Sequence, residues 1–554
     1  MKPVISAEQM REIDRLTVQN SETTSLQLMQ AAAHACFQAI NSHFAGELAG
    51  KKAQILCGPG NNGGDGAALA QELAQAGVHA DVVLFGNFED TRGDARTNFE
   101  IVRQLSSAKA GSADHPSLGF VECDGVSAWQ KVAQQERDYH IIVDALFGTG
   151  LSRPLQGVFA EVVKHLKTSR KPRASYSDPL LVSIDIPSGL NADSAKPIGP
   201  SLHADVTVTF TAPKPANVLP PASHLNGKLV VADIGSPSAL VDDAGSSLFV
   251  IEENDARRWL KATRYTPDSF KNSHGHVLVI AGSRGYTGAA VLCGNAAMRS
   301  GTGLVTIATP VSAQSSVAAS VMSEVMTTAL AETDRGAVSD EAIEHARHLA
   351  SKANVIAIGP GLSSSDERTR RFVYEVVKQR GTPVVIDADG LNCLAPWPAD
   401  LQGSDQFPLI VTPHPGEMLR LLGTTDKSAL DDRVATAREF ATRHKLILVL
   451  KGSRSLIAAP DGRVFINPTG NAGLGTAGAG DTLTGIIAGF IAQSAAGSFD
   501  KADALFSVIA ALYVGGLAGD FAARDLGMRA MVASDIREHL SKAFLTLDPE
   551  GEIP

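Results

Sequence analysis

The sequence predicts an α/β protein of two large domains, and three observations carry that prediction. Short runs rich in Val, Ile and Leu alternate with helix-length segments along the 554 residues, which is the pattern of a mainly parallel sheet flanked by helices. These runs end in Gly-, Pro- or Asp-containing loops, and in a parallel sheet such loops face one crevice. The alternation decays once, between Gly235 and Ser273, where Gly, Ser, Pro and charge replace it. The expected division is therefore residues 1–240, a linker region 241–270, and residues 271–554. Length alone would suggest roughly three or four domains.

Composition narrows the function classes. An apolar content of 44% and a charged content of 19% suit a soluble chain with a substantial core. The net charge of −10 argues against a nucleic-acid binder, which needs a basic face. The five cysteines, at 36, 57, 123, 293 and 393, contain no C-x-x-C pair, so neither a zinc site nor a disulfide framework is expected. That fits a reducing compartment. The N-terminus has no continuous apolar stretch of the signal-peptide kind. No run of 18 apolar residues occurs, so no membrane span is expected. A cytoplasmic location follows as the expectation.

In the first domain, Ser6-Ala-Glu-Gln9 reads as a capping box opening a helix to about Gln19. A second helix spans about Leu26 to Phe44. Ala53–Cys57 reads as a buried strand, followed by Gly58-Pro-Gly-Asn-Asn-Gly-Gly-Asp-Gly66 and a helix over Ala67–Ala76. Strand, glycine loop and helix form a phosphate-binding arrangement, although this loop is neither G-x-G-x-x-G nor a Walker A loop. Asn61, Asn62 and Asp65 in it can bind ligand hydroxyls or give oxygens to a cation. A tight Asn-Gly turn is the competing reading. Strands follow at Ala80–Phe85, His140–Asp144, Leu180–Asp185, Asp205–Phe210 and Lys228–Ile234. Asp144 and Asp185 each precede a glycine loop, Ala145–Pro154 and Ile186–Asn191, so three carboxylate-bearing loops should converge.

The second domain begins with a short helix at Glu252–Ala262. Strands follow at His276–Ala281, Gly303–Ala308, Asn354–Ile358, Pro383–Asp387, Leu409–Val411, Leu446–Leu450 and Val464–Ile466, with a helix over Ala289–Arg299 after the first strand. The strongest motif is Asn467–Gly485, six glycines leading into an apolar helix over Thr482–Gln493. A glycine turn opening a helix presents free N–H groups at the positive end of the dipole, a place for phosphate. Asp481 in the first turn is placed for proton transfer; a simple helix cap is the competing reading. Bland readings also exist for His414 as a turn brace, Lys451 as a surface charge, and Asp387 and Asp389 as partners of backbone amides.

Taken together, GPGNNGGDG, VDALFGTGL and IDIPSGL resemble the YjeF N-terminal family, the NAD(P)H-hydrate epimerases, over roughly 1–240. The resemblance implies a Rossmann-like α/β/α fold. It implies substrate contacts from Asn61, Asn62, Gly63, Gly64 and Asp65 and from Gly148, Thr149, Gly150, Leu151, Ser152, Arg153 and Pro154. It further implies K+ held by Asn62, Asp144 and Ser188, with Asp185 as the acid/base residue, an assignment that an Asp at a strand end with a nearby hydroxyl supports.

In the second half, GSRGYTGA, GPGL, DADGLN, TPHPGE, KGSRS and NPTGNAGLGTAGAGD resemble the YjeF C-terminal family, the ADP/ATP-dependent NAD(P)H-hydrate dehydratases, over about 250–545. The fold implied is ribokinase-like α/β. Ala289, Gly361, His414 and Asp481 would contact the hydrated dinucleotide. Lys451, Gly452, Ser453, Arg454, Ser455 and Gly480 would contact ADP or ATP, with Mg2+ a candidate companion. Ser455 stands where Thr is usual and keeps the hydroxyl; Ala479 stands where Ser is more usual.

The resemblance thus implies a repair enzyme that interconverts the R and S forms of NADHX and NADPHX and dehydrates the S form at the expense of ADP or ATP. A homo-oligomer without nucleic-acid or membrane partners is expected. The alternative is a small-molecule kinase of the ribokinase fold with a non-catalytic N-terminal binding module, because GAGD also occurs in kinases of sugars and vitamins.

Overall fold

The chain falls into two units, Pro3–Ser246 and Ser247–Pro554 with Met1–Lys2, in a computed structural model that describes residues 1–107, 117–135, 138–169, 178–497 and 503–551.

The sheet of the first unit has seven strands, in the order Leu118–Cys123, His79–Phe85, Lys52–Cys57, Ile141–Ala145, Leu180–Ile184, Val206–Phe210 and Lys228–Ala232. Every neighbouring pair is parallel. Lys52–Cys57 pairs with His79–Phe85 on one side and Ile141–Ala145 on the other, so strand order reverses there. Loops leaving the two strands at such a point splay apart and open a crevice. The helix Ala7–Asn20 starts with the expected capping box between Ser6 and Gln9.

One expectation fails in an informative way. The helix read as Ala67–Ala76 starts six residues earlier and spans Asn61–Gln75. Glycine is a poor helix former, but here only glycine fits. A Cβ on Gly63 would strike the Gly58 carbonyl, one on Gly64 would sit 2.7 Å from Ala95 Cα, and one on Gly66 would sit 2.6 Å from Ala145 Cβ. Close packing, not loop flexibility, explains these glycines.

The sheet of the second unit has eleven strands: Lys2–Pro3, Leu248–Val250, Val464–Ile466, Leu456–Ala458, Ile447–Leu450, Leu409–Val411, Val384–Ile386, Val355–Ile358, His276–Ile280, Leu304–Pro310 and Met326–Leu330. From Ile447–Leu450 through Met326–Leu330 all pairs are parallel. Leu456–Ala458 runs antiparallel to both its neighbours, and the turn Asp461–Gly462, with Gly462 at φ +89°, closes the second hairpin. Order reverses at His276–Ile280, between Leu304–Pro310 and Val355–Ile358.

The segment read as linker does not behave as one beyond Ser246. Leu248–Val250 pairs in parallel with Val464–Ile466, and the helix Glu253–Ala262 buries Trp259. The indole stacks on Phe490 at 4.0 Å between ring centroids and donates to Ser494 Oγ at 3.0 Å. The helices Ala479–Ala496 and Ala504–Leu526 run through this same core. Ala504–Leu526 is long and apolar enough to cross a bilayer, but 78% of its most apolar window is buried inside the fold. Its hydrophobicity is satisfied by packing.

All five cysteines are free; four are buried and Cys393 is partly so. Burial raises the thiols, Cys393 to about 12.

Candidate active sites

In the first unit a cleft of about 850 Å³ opens at the strand reversal, lined among others by Asn61, Asn62, Asp65, Gly148, Thr149, Gly150, Asp185 and Lys214. Seven of the residues expected to meet substrate therefore share one wall set. Gly63 and Gly64 are buried at the helix packing surface. Leu151, Ser152, Arg153 and Pro154 continue the same loop past Gly150, but do not line the cleft.

Asp185 ends the strand Leu180–Ile184 with φ +65°, a left-handed backbone that a non-glycine residue adopts at some cost and that recurs at functional sites. The bend turns the carboxylate into the cleft. Oδ1 accepts from Lys214 Nζ at 2.8 Å and from Thr209 Oγ1 at 3.0 Å, while Oδ2 accepts from the Thr149 N–H at 3.2 Å. Lys214 is 1% exposed and also donates to Thr209 Oγ1 at 2.9 Å and the Phe210 carbonyl at 3.0 Å. A buried ammonium needs such partners. Nothing in the motifs pointed to Lys214 or Thr209. The available signal was the segment Thr211-Ala-Pro-Lys-Pro215 at a strand end of the same sheet.

Asp144 and Ser188 lie beneath the cleft, both buried. Asp144 Oδ1 accepts from Ser188 Oγ at 2.6 Å and the Leu146 N–H at 3.4 Å; Oδ2 accepts from Ser183 Oγ and the Ser188 N–H, each at 2.8 Å. Burial pushes its carboxyl up, against the pull of these bonds. Burial together with Asp185 and Asp14 raises Asp65 well above the usual carboxylate range. The Asn62 side chain lies beside Asp185 across Gly148: a Cβ on Gly148 would meet Asn62 Oδ1 at 2.9 Å and Asp185 Oδ2 at 3.0 Å. Gly148 is thus required for the loop to pass between these two side chains.

In the second unit the loops after the reversal strands are tied together. The Gly282 N–H donates to the Pro360 carbonyl at 2.8 Å, and Ser283 Oγ to the Gly361 carbonyl at 2.8 Å. A Cβ on Gly361 would lie 3.0 Å from Ala289 Cβ, so Ala289 and Gly361 adjoin, beside the exposed Tyr286 ring.

The helix Ala479–Ala496 starts at Gly478, φ +84°, with no side-chain cap. Asp481 therefore does not serve as the cap. Burial raises its carboxyl to about 7, reinforced by Asp387, Asp389 and Glu417 and opposed by Lys451. Lys451 Nζ lies 2.6 Å from Asp387 Oδ1 and 3.9 Å from Glu417 Oε2, and a Cβ on Gly480 would sit 3.3 Å from that Nζ. Lys451 is thus no free surface charge. Asp387 also takes the Thr484 hydroxyl at 2.8 Å, so it is more than a backbone anchor. Asp389 binds the Ser363 N–H at 3.0 Å and Ser364 Oγ at 3.2 Å.

His414 caps the helix Pro415–Leu421, its Nδ1 accepting from the Gly416 N–H at 2.9 Å. Its other nitrogen, Nε2, stands 3.5 Å from Glu417 Oε1 and the side chain is half exposed. The loop Lys451–Ser455 is braced by Arg433, which donates to the Ser453 carbonyl at 3.1 Å, and Arg454 donates to the Pro468 carbonyl at 3.0 Å. The glycine loop is pinned by Asp520, which accepts from the Gly470 N–H at 3.0 Å and Asn471 Nδ2 at 2.9 Å. Thr484, Glu417 and Asp520 are additions to the sequence reading.

Two doubly wound sheets, each with glycine loops and carboxylates at its strand reversal, define a two-site α/β enzyme acting on nucleotide-like ligands. The chain belongs to the family of bifunctional NAD(P)H-hydrate repair enzymes. Residues 277–542 match the NAD(P)H-hydrate dehydratase family and residues 25–216 the YjeF-related protein N-terminus family. The bifunctional NAD(P)H-hydrate repair enzyme Nnr of Moorella thermoacetica is 39% identical over 551 residues, covering 99% of this chain and 98% of its own. That of Escherichia coli K12 is 30% identical, covering 94% and 89%. The ADP/ATP-dependent NAD(P)H-hydrate dehydratase of Bacillus subtilis, crystallised with ATP/Mg2+, is 28% identical with a TM-score of 0.45, over 54% of this chain and 98% of its own. The family matches favour the repair reading over the kinase alternative.

Proposed function

We propose that the first unit interconverts the R and S forms of NADHX and NADPHX, and that the second removes water from the S form coupled to ADP or ATP. The observation that carries this reading is the same in both units: an aspartate in a glycine-lined crevice, electrostatically coupled to a lysine. Asp185 has Lys214 at 2.8 Å, and Asp481 feels Lys451.

In the first unit Asp185 accepts or returns the proton of the C6 hydroxyl, held in position by Lys214, Thr209 and the Thr149 N–H. Asn61, Asn62, Asp65 and the Gly148–Gly150 loop line the space for the hydrated ring. The corner formed by Asn62, Asp144 and Ser188 fits a potassium ion. All its donors are oxygens apart from one amide nitrogen, which suits a hard cation. That nitrogen, Asn62 Nδ2, is buried without a partner; turning the amide over puts an oxygen there instead. When bound, K+ would supply positive charge beside the buried Asp144 carboxylate.

In the second unit a carboxyl raised to about 7 is suited to proton transfer at the departing hydroxyl near neutral pH. The ammonium of Lys451 and the free N–H groups at the start of the helix Ala479–Ala496 stabilise phosphate charge. Lys451–Ser455 and Gly480 hold the nucleotide, with Mg2+ as its companion. Ala289, Gly361 and His414 Nε2 face the hydrated dinucleotide. The test is incubation with mixed R and S NADHX, with and without ADP or ATP, following return of reduced-nicotinamide absorbance. No nucleotide-dependent return, or phosphoryl transfer to ribose or a vitamin instead, would sink the reading.

A further inference from the structure

Asp14 sits on the helix Ala7–Asn20, outside every sequence motif, yet it lines the same cleft as Asp185 and Lys214. Its Oδ1 is buried and has no hydrogen-bond partner. A buried structural carboxylate is normally satisfied, and Asp14 lies mid-helix, where it caps nothing. Burial and the charge of Asp185 raise its carboxyl to about 6, with Lys214 pulling the other way. The other charged groups lining the cleft are Arg11 and Arg15 on its own helix, and Asp65 and Asp94.

Epimerisation at C6 is best served by two proton-transfer groups. The carbon carries a hydroxyl and is bonded to the ring nitrogen N1. When the C6–N1 bond breaks, its electron pair goes to N1, the hydroxyl proton leaves, and C6–O becomes a carbonyl. N1 must then take up a proton. Rotation about C5–C6 presents the other face, and the same steps in reverse close the ring. Nothing is oxidised or reduced, and no atom is gained or lost. Asp185, already bound by Lys214 Nζ, Thr209 Oγ1 and the Thr149 N–H, is placed to take the hydroxyl proton. That leaves the donor to N1 to be found.

We propose that Asp14 is the second catalytic residue of the epimerase cleft, giving a proton to the ring nitrogen on opening and taking it back on closure. The inference rests on the epimerase reading of this unit. The test uses the full chain in potassium buffer without nucleotide, with purified R-NADHX and chromatography of the two epimers over time. Asp14→Asn should lose roughly 10²-fold or more in kcat for exchange, the scale of a positioned acid/base group, with KM unchanged. The wild-type kcat/KM should fall above the pH at which Asp14 ionises, about 6, and this limb should vanish in Asp14→Asn. Asp14→Glu should restore part of the rate. ADP-driven dehydration of the S form by the same variant should match wild type, which reports an intact chain. Wild-type kcat in Asp14→Asn, a loss confined to KM, or an alkaline limb that persists would each overturn the inference alone. Absence of exchange in the wild type would overturn the epimerase reading and this inference with it.

Discussion

The Lys451 ammonium stands 2.6 Å from Asp387 Oδ1, and this contact fixes the charge pattern of the second unit's crevice. Burial raises Asp387, but Lys451 and the bonds from Thr484 and Thr412 outweigh it and hold the carboxyl below its usual range. Burial lowers Lys451, and Asp387 and Glu417 more than restore it. The ammonium is thus charged and preorganised beside Gly480 before any nucleotide arrives.

Removing one partner should expose the cost of the other. Lys451→Met leaves Asp387 buried and unpaired, a loss of about 3–5 kcal/mol in the melting of the second unit. Adding Asp387→Leu should recover much of that stability but not the dehydratase activity. Wild-type protein should gain about 2.7 kcal/mol at a hundredfold excess of ADP over its dissociation constant, a gain lost in both variants. Calorimetry reads all three; an ADP shift that survives in Lys451→Met would remove that residue from the nucleotide site.

Asp481 makes the second unit pH-sensitive in a definite direction. Its carboxyl is raised from 3.8 to about 7 in the fold, so the native state holds the proton more tightly than the unfolded chain does. Stability is then greatest below about 4 for this group and falls as pH rises toward 7. Asp481→Asn carries no such charge, so without ligand it should melt higher than wild type at pH 8, with the gap shrinking toward pH 4. A constant gap across that range would contradict the burial of this carboxylate.

Potassium should matter to one activity through Asn62, Asp144 and Ser188. Exchange of R and S forms should need K+ and resist zinc chelators. Among the described residues no three His, Cys, Asp or Glu side chains gather as a metal site. Ser188→Ala removes the hydroxyl that bonds Asp144 at 2.6 Å, and should weaken exchange while raising the K+ concentration needed. Full exchange in sodium-only buffer would refute the assignment.

The two sites should be separable by what each mutant leaves behind. Asp185→Asn should still dehydrate the S form with ADP, so recovery from a mixture stalls once S is consumed. Asp481→Asn should recover almost nothing, with a loss of roughly 10²-fold or more, yet still equilibrate R with S. Mixing the two proteins should restore full conversion, since the intermediate is a diffusible small molecule. Chromatography of R, S and repaired cofactor decides; failure of the mixture to complement would refute the scheme.

Strand positions were legible where the buried runs are nearly continuous Val, Ile and Leu, as in Ile447–Leu450; Leu118–Cys123 and Met326–Leu330, which are not such runs, went unread. Leu456–Ala458, at three residues, was too short to announce itself, although Asp461–Gly462 marks a hairpin turn. The early start of the helix at Asn61 was hidden because its glycines answer to neighbours distant in sequence: Gly58, Ala95 and Ala145. The acids at loop ends were legible, since Asp144 and Asp185 open glycine-containing loops and Asp481 follows one. Their partners were not. Lys214 reads as an ordinary polar residue between two prolines, and only the tertiary fold shows it 1% exposed against Asp185. Asp14 lies in a helix whose local pattern gives no hint that a cleft passes it.

The quiet cysteines have a practical consequence. With four thiols sealed in the core and Cys393 held near 12, maleimides and disulfide probes should leave the native chain untouched under folding conditions. A single cysteine placed at Tyr286, 65% exposed, would then be the sole reactive handle. Since Tyr286 adjoins Gly361 and Ala289, a fluorophore there would report ligand arrival in the dehydratase crevice without background label.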